Sequence, residues 1–456
     1  MKLGVVVLAA GQGTRMRSRL PKVLHHLAGR PLVAHVLQTS EDIGADQVCV
    51  VYGHGGERVR EAMTGYDCLW AEQAKQKGTG HAVMQAMPLM QGVDRVLVLY
   101  GDVPLIASDT LKRLVADAAG TALGLLTAFQ TDPSGYGRIV RDGDGRVLRI
   151  VEQKDATEAE LEIDEINTGF LIADRNRLDD WLSRIGNDNA QGEFYLTDVI
   201  GLAAGDGIDV ATSQPETLEE VAGVNDRVQL AALERYFQRR QAEDLMRAGV
   251  TLADPARLDV RGHLSAACDV VLDVNVIIEG EVRLAEGVRI GPNCLLRDCV
   301  IGRDTQILAN SVVEGASVGC DVRIGPFSRL RPEADLSDGV HVGNFVEIKK
   351  SRVGDGSKVN HLSYVGDAQV GRGVNLGAGT ITCNYDGANK HLTVIGDGAF
   401  IGSNTALVAP VEVGAGATIG AGSVINRPAP ADKLTLARGR QVTVDYWQRP
   451  QKKPTQ

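Results

Sequence analysis

Between about Ile278 and Ile425 an aliphatic residue returns at every sixth position. The cleanest stretch is Val318, Ile324, Leu330, Leu336, Val342 and Ile348. After a one-residue slip the pattern resumes at Val353, Val359 and Val365, then slips again to Val370 and Leu376. It closes with Ile395, Ile401, Leu407, Val413, Ile419 and Ile425. A period of six fits neither an amphipathic helix nor a half-buried strand, whose periods are 3.6 and 2. It fits a coil with six-residue faces, each one short strand and a turn. About eighteen residues then complete a turn, and the aliphatic side chains stack inside as ladders. Glycine follows many of them (Gly319, Gly325, Gly343, Gly354, Gly371), at corners that need positive φ or close backbone approach. Half of the chain is therefore expected to form a parallel β-helix.

The 456 residues exceed what one core accommodates, so a second domain and a connection are expected. With 44% hydrophobic and 23% charged residues the chain can bury sizeable cores and is not of disordered composition. A net charge of -10 argues against general nucleic-acid binding, and the basic tail residues Arg449, Lys452 and Lys453 read as a solvated end. Seven cysteines without a C-x-x-C pair fit reduced thiols and a cytoplasmic location. The opening V-V-V-L-A-A runs directly into G-Q-G-T-R, so it reads as a buried first strand rather than a signal peptide. No stretch approaches the roughly 18 apolar residues of a membrane span.

Residues 1–226 alternate apolar runs with helix-like segments, which predicts a mainly parallel sheet covered on both faces. Ligands of such sheets sit at the carboxyl ends of the strands. Residues 227–249 lack internal Gly and Pro until Gly249, a plausible C-cap, and read as a linker helix. Residues 250–456 hold about nine coils, whose end Pro428 and Pro430 mark, and a tail. The six-residue pattern breaks once, between Leu376 and Ile395, where G-A-G-T-I-T-C-N-Y-D-G-A-N-K-H-L-T-V adds a loop. A loop ejected from a regular solenoid is where function concentrates.

The first strand leads into L-A-A-G-Q-G-T-R-M (Leu8 to Met16), followed by Pro21-Lys22. Small residues let backbone N–H groups approach a phosphate, and Arg15 and Lys22 add positive charge. The spacing is neither G-x-x-x-x-G-K-[ST] nor G-x-G-x-x-G. Taken alone, the loop is equally a tight strand-to-helix turn. The run as a whole, with Y-G-D-V-P-L from Tyr100, resembles the signature of sugar-1-phosphate nucleotidylyltransferases. That resemblance implies substrate binding by Leu8, Ala9, Ala10, Gly11, Arg15, Lys22, Tyr100 and Gly101. It implies Mg²⁺ ligation by Asp102 and by Asn225 of G-V-N-D, nucleobase reading by Gln73, Gly78 and Thr79, and sugar binding by Gly137, Glu152 and Asn167. The residue types suit the chemistry: a sugar phosphate attacking the α-phosphorus of a nucleoside triphosphate brings two anions together, and cations must offset them.

Hexapeptide coils also occur in zinc enzymes, but His263, His341, His361 and His391 include no close pair. His361 and Tyr364, in V-N-H-L-S-Y-V-G-D, read by composition as outward side chains on one face. Cys383 has no evident base beside it for covalent catalysis. Yet H-L-S-Y-V-G-D, G-A-G-T-I-T-C-N-Y-D-G and R-L-R-P are similar to the acetyltransferase half of the bifunctional GlmU family, and the similarity extends along essentially the whole chain. It implies that the coil is left-handed and that His361 is the general base for glucosamine-1-phosphate. It implies that Arg331, Lys349, Tyr364, Asn375 and Lys390 hold this acceptor. For acetyl-CoA it implies contacts from Ala378, Asn384, Tyr385, Ser403, Ala421 and Arg438. It further implies a homotrimer, with UTP as the second co-substrate and an amino-sugar nucleotide for bacterial envelope polymers as product. Two rivals are a nucleotidylyltransferase for another sugar whose β-helix is only an arm, and a regulatory exchange-factor subunit.

Overall fold

The computed structural model describes residues 1–451 except 12 and 54. Gln12, in the glycine loop, and the tail's Lys452 and Lys453 lie outside the described residues. The chain forms two compact units, Met1–Arg239 and Arg240–Gln456.

The main strands of the first unit are β1 (Leu3–Ala9), β2 (Gln47–Tyr52), β3 (Leu69–Glu72), β4 (Arg95–Tyr100), β5 (Leu123–Phe129), β6 (Glu165–Asp174) and β7 (Val210–Ser213). Their order across the sheet is β7-β5-β6-β4-β1-β2-β3. All neighbouring pairs are parallel except those of β6, which runs antiparallel to β4 and β5. The apolar start of the chain is indeed a central strand, buried along its whole length between β2 and β4. Val5, Val7 and Ala9 join one core and Val6 and Leu8 the other, as the two-residue period of a strand demands. Both faces are covered, and the loops after β1 and β4 emerge side by side.

The helix Arg227–Arg247 ends at Gly249 in the left-handed region (φ 98), where Gly249 N–H donates to the Met246 carbonyl at 3.1 Å. It is more than a spacer. Leu233 joins a core with Met16, Leu27 and Leu32, whereas Ala242 joins the core of the second unit. The boundary between units thus falls inside the helix.

The second unit is a β-helix of short parallel strands. Ile290, Ile307, Ile324, Val342, Val359 and Leu376 stack in register with about one turn of chain between neighbours, and all are buried. Leu376 then pairs with Ile401, so the ejected loop is absorbed without breaking the ladder. One ladder carries eleven rungs where the sequence count predicts about nine. Thr251–Leu252 begins it, and Leu434–Thr435 pairs with Thr418–Ile419 beyond Pro430. The prolines do not end the coil: Ala429 between them is buried, its N–H donates to the Glu412 carbonyl and its carbonyl accepts from Gly414 N–H, so the pairing with the preceding coil is kept. Of the two reasons for glycine after an aliphatic, close approach governs Gly343: a Cβ there would lie 2.0 Å from the Asn360 carbonyl oxygen of the next coil.

Candidate active sites

In the first unit the loops after β1 and β4 meet over a cleft of about 290 Å³, lined by Leu8, Ala9, Ala10, Gly11, Lys22, Gln73, Gly78, Thr79, Tyr100 and Asp102. Gly101 N–H donates to the Leu8 carbonyl at 2.9 Å, which locks the two loops together. Lys22 forms an ion pair with Asp102, the two side chains only 13% and 17% exposed. Asn225 arrives from the far end of the unit because Val224 N–H donates to the Asp102 carbonyl at 2.9 Å. Its Oδ1 accepts from Arg15 Nη2 at 2.9 Å and from Lys22 Nζ at 3.4 Å. Two oxygens, one anionic, thus converge on a single cation.

At the other end of the cleft, Gln73 Nε2 donates to the Gly78 carbonyl at 3.0 Å and lies 3.1 Å from His81 Nδ1. Gly78 has φ 103, and a Cβ there would meet the Phe194 carbonyl oxygen at 2.5 Å, so only glycine fits. Asn167 N–H donates to the Gly137 carbonyl at 2.8 Å, and the Glu152 carboxylate lies over the space where Gly137 lacks a side chain. Burial, then Asp155 and Asp198, push the Glu152 carboxyl up, against the Thr197 hydroxyl that donates to it at 3.1 Å. Burial pushes the Tyr100 phenol up, with Glu152 and Asp102 adding to it, so Tyr100 feels the charge at both ends of the site.

In the second unit, adjacent coils bring a cluster together. Lys349 Nζ lies 3.8 Å from Oδ2 of Asp367, a buried residue with φ 48. Asn384 donates to the same carboxylate oxygen, and its Nδ2 lies 3.5 Å from the Tyr364 hydroxyl. Lys390 contacts Lys349, whose charge holds the Lys390 ammonium below the usual lysine range. Arg331 Nη1 donates to Glu347 Oε1 at 2.8 Å, and Tyr364 is close enough to favour its charge. His361 lies on an adjoining face, its Nδ1 2.8 Å from Asn344 Oδ1. Asn375 pairs with Lys358 on that same face.

Ala378, Ser403 and Ala421 form a row at one corner: Asn404 N–H donates to the Ala378 carbonyl at 2.7 Å, and Gly422 N–H to the Ser403 carbonyl at 2.8 Å. Arg438 Nη1 donates to the Ala421 carbonyl at 3.1 Å. Among the described residues no hydrogen bond links this row to the Lys349–Asp367 cluster. Tyr385 is 59% exposed on the ejected loop, its hydroxyl donating to the Gly387 carbonyl at 2.6 Å.

Comparison with known proteins decides what the two arrangements belong to. Residues 5–140 match the MobA-like NTP transferase domain and residues 392–427 the bacterial transferase hexapeptide (six repeats). The bifunctional protein GlmU of Idiomarina loihiensis is 56% identical over 453 residues, which cover 99% of each chain. That of Alkalilimnicola ehrlichii is 58% identical over 99% of this chain and 97% of its own. That of Aromatoleum aromaticum is 57% identical over 98% and 99%. The chain belongs to the bifunctional GlmU family. It is an enzyme with nucleotidyltransferase and acetyltransferase activities, built as a Rossmann-like domain followed by a left-handed β-helix.

Several residues that motif reading passes over stand inside these two clusters of the GlmU-family chain. Gln76 donates from its amide to the Ala10 carbonyl, and Glu193 lines the same cleft as Lys22 and Asp102. Thr197 orients Glu152, and Asp367 neutralises Lys349. Each reaches its site through the fold, from a segment without a local signature. The left-handed φ of Asp367, Phe327 (57), Phe345 (55) and Leu362 (50) is uncommon for such residues and invisible in sequence.

Proposed function

We propose that residues 250–456 transfer the acetyl group of acetyl-CoA to the amine of glucosamine-1-phosphate. Residues 1–226 then join the product to UMP from UTP, releasing pyrophosphate and giving UDP-N-acetylglucosamine. The observation that carries this reading is that one chain holds two separate charged constellations: Lys22, Asp102, Asn225 and Arg15 at strand ends, and Arg331, Lys349 and His361 on the coils with Lys390 on the ejected loop.

In uridylyl transfer the sugar-phosphate oxygen bonds to the α-phosphorus as the bond to pyrophosphate breaks. Lys22 and Arg15 offset the approaching negative charges. Asp102 and Asn225 suit Mg²⁺, since two hard oxygens already converge there on one cation and Mg²⁺ usually takes one or two protein ligands. When bound, the ion would supply further neutralisation of phosphate charge. Gln73, Gly78 and Thr79 read the base, and Gly137, Glu152 and Asn167 hold the sugar.

In acetyl transfer the amine nitrogen bonds to the thioester carbonyl, the C–S bond breaks, and His361 takes the amine proton and returns it to the departing thiolate. Arg331 and Lys349 hold the acceptor phosphate, with Tyr364, Asn375 and Lys390 around it. Ala378, Asn384, Tyr385, Ser403, Ala421 and Arg438 take acetyl-CoA. A homotrimer is supported by the exposed apolar ladder of Phe327, Phe345 and Leu362 beside His361, its two rings stacked at 5.4 Å. Exposed Leu434, Leu436, Tyr446 and Trp447 extend that surface character into the tail. Cytoplasmic location is supported by seven free cysteines, and no helix among the described residues is long and apolar enough to cross a membrane.

The test is a coupled assay with Mg²⁺ in which glucosamine-1-phosphate, acetyl-CoA and UTP are supplied together and then omitted in turn. CoA release without UTP, with pyrophosphate release only after acetylation, is the expected result. Pyrophosphate without acetyl-CoA, and no CoA at any point, would reduce the β-helix to an arm.

A further inference from the structure

His361 is pinned from three sides. Its carbonyl accepts from Gly379 N–H at 3.1 Å and from the Ser363 hydroxyl at 2.8 Å, and the next residue, Leu362, donates its N–H to the Asn344 carbonyl at 3.1 Å. Asn344 and His361 stand directly opposite in adjacent coils, and the Asn344 side chain returns to the imidazole, Oδ1 to Nδ1 at 2.8 Å. Among the described residues Nε2 makes no hydrogen bond. A neutral imidazole carries one N–H and one lone pair, and its partners decide which nitrogen has which. An amide oxygen can only accept, so the nitrogen facing it must be the N–H.

We propose that Asn344 is a positioning residue for acetyl transfer: its side-chain oxygen holds His361 as the Nδ1–H tautomer and leaves the Nε2 lone pair free to take the amine proton. This rests on the reading of His361 as the base. During the reaction Nε2 gains the proton as the N–C bond forms and loses it to the thiolate as the C–S bond breaks. Nδ1 keeps its proton on Asn344 throughout. Because asparagine is uncharged, it orients the ring without adding a carboxylate beside it. The charged and titratable neighbours on the packed strands are His341, on Asn344's own strand, Lys358, on that of His361, and Arg323, on the strand Arg323–Ile324 that pairs with the other edge of Asn344's strand; the strand Asn375–Leu376 brings none.

The test uses the full-length protein labelled with ¹⁵N-histidine, with Asn344→Ala, Asn344→Asp and His361→Gln. In the wild type, above its titration, Nδ1 should resonate as protonated and Nε2 as unprotonated. Asn344→Ala should lose that preference and lower kcat for acetyl transfer roughly 10- to 100-fold with KM little changed, less than the roughly 10²–10⁴-fold of a lost general base. Asn344→Asp should keep the tautomer, retain more activity than the alanine variant and move the acid limb of the kcat profile to higher pH. A merely structural asparagine would give neither effect. Uridylyl transfer, measured on the same samples, reports that the chain is folded. A protonated Nε2 in the wild type, or unchanged kcat in Asn344→Ala, overturns the proposal. Wild-type acetylation by His361→Gln overturns the base assignment itself, and the tautomer measurement then stands apart from catalysis.

Discussion

Lys22 and Asp102, 80 residues apart in sequence, form a largely buried ion pair in the glycine-loop cleft, and Asn225 Oδ1 lies 3.4 Å from the same ammonium. The lysine therefore occupies the position between two oxygens that suits a metal ion. Lys22→Ala is expected to lower uridylyl-transfer kcat about 10²–10³-fold, the range for losing one stabiliser of transition-state charge. The same variant should need less Mg²⁺ for half-maximal rate, because a competing cation is gone. A Mg²⁺ titration of initial rates checks this; an unchanged midpoint would separate the lysine from the metal site.

Asp102→Ala should abolish uridylyl transfer and leave acetyl transfer near wild type. His361→Ala should do the reverse, lowering acetyl transfer roughly 10²–10⁴-fold. Both rates measured on each variant decide whether the two constellations act separately. Equal loss of both activities would rule out independent sites.

Glu152 makes a pH-dependent contribution whose sign follows from its raised carboxyl. A folded-state pKa above the unfolded one means that ionised Glu152 opposes folding. That penalty is absent below the ordinary glutamate range and grows as pH rises through the raised folded value. Glu152→Gln should therefore unfold at higher temperature at neutral pH, by roughly 2–4 °C per kcal/mol relieved. It should lose the gain at acid pH and bind the sugar phosphate more weakly. Thermal melts across pH are the measurement, and a gain independent of pH would exclude the carboxyl as its source.

Gly343 precedes Asn344, and a Cβ at 343 would press into the Asn360 carbonyl. Gly343→Ala should separate the coils carrying Asn344 and His361 and reduce acetyl transfer more than uridylyl transfer. Ile348→Ala, at a fully buried rung, should instead cost about 2–5 kcal/mol of stability without touching the charged groups. Denaturant unfolding and the two assays distinguish these outcomes.

The β-helix was legible because Ile324, Leu330, Val342 and Ile348 must each face inward, and burial imposes that requirement on every coil separately. The first cleft was legible for a different reason. Leu8 to Gly11 and Tyr100 to Asp102 follow strands directly, so their place is a local consequence of where a strand ends. The extra rungs were not legible, since Leu252 and Thr435 pair outside the clean repeat. Nor were Gln76, Thr197, Asp367 and Asn344, which act through single side-chain hydrogen bonds or ion pairs across the fold.

The sequence by itself determined the two architectures and the chemical types at each site, because hydrophobic period and strand-end motifs are written locally along the chain. Only the tertiary structure decided which nitrogen of His361 faces Asn344, which carboxylate answers Lys349, and how Asn225 meets Lys22. Those relations depend on coil register and on loop closure over tens to hundreds of residues, quantities that no local run of amino acids carries.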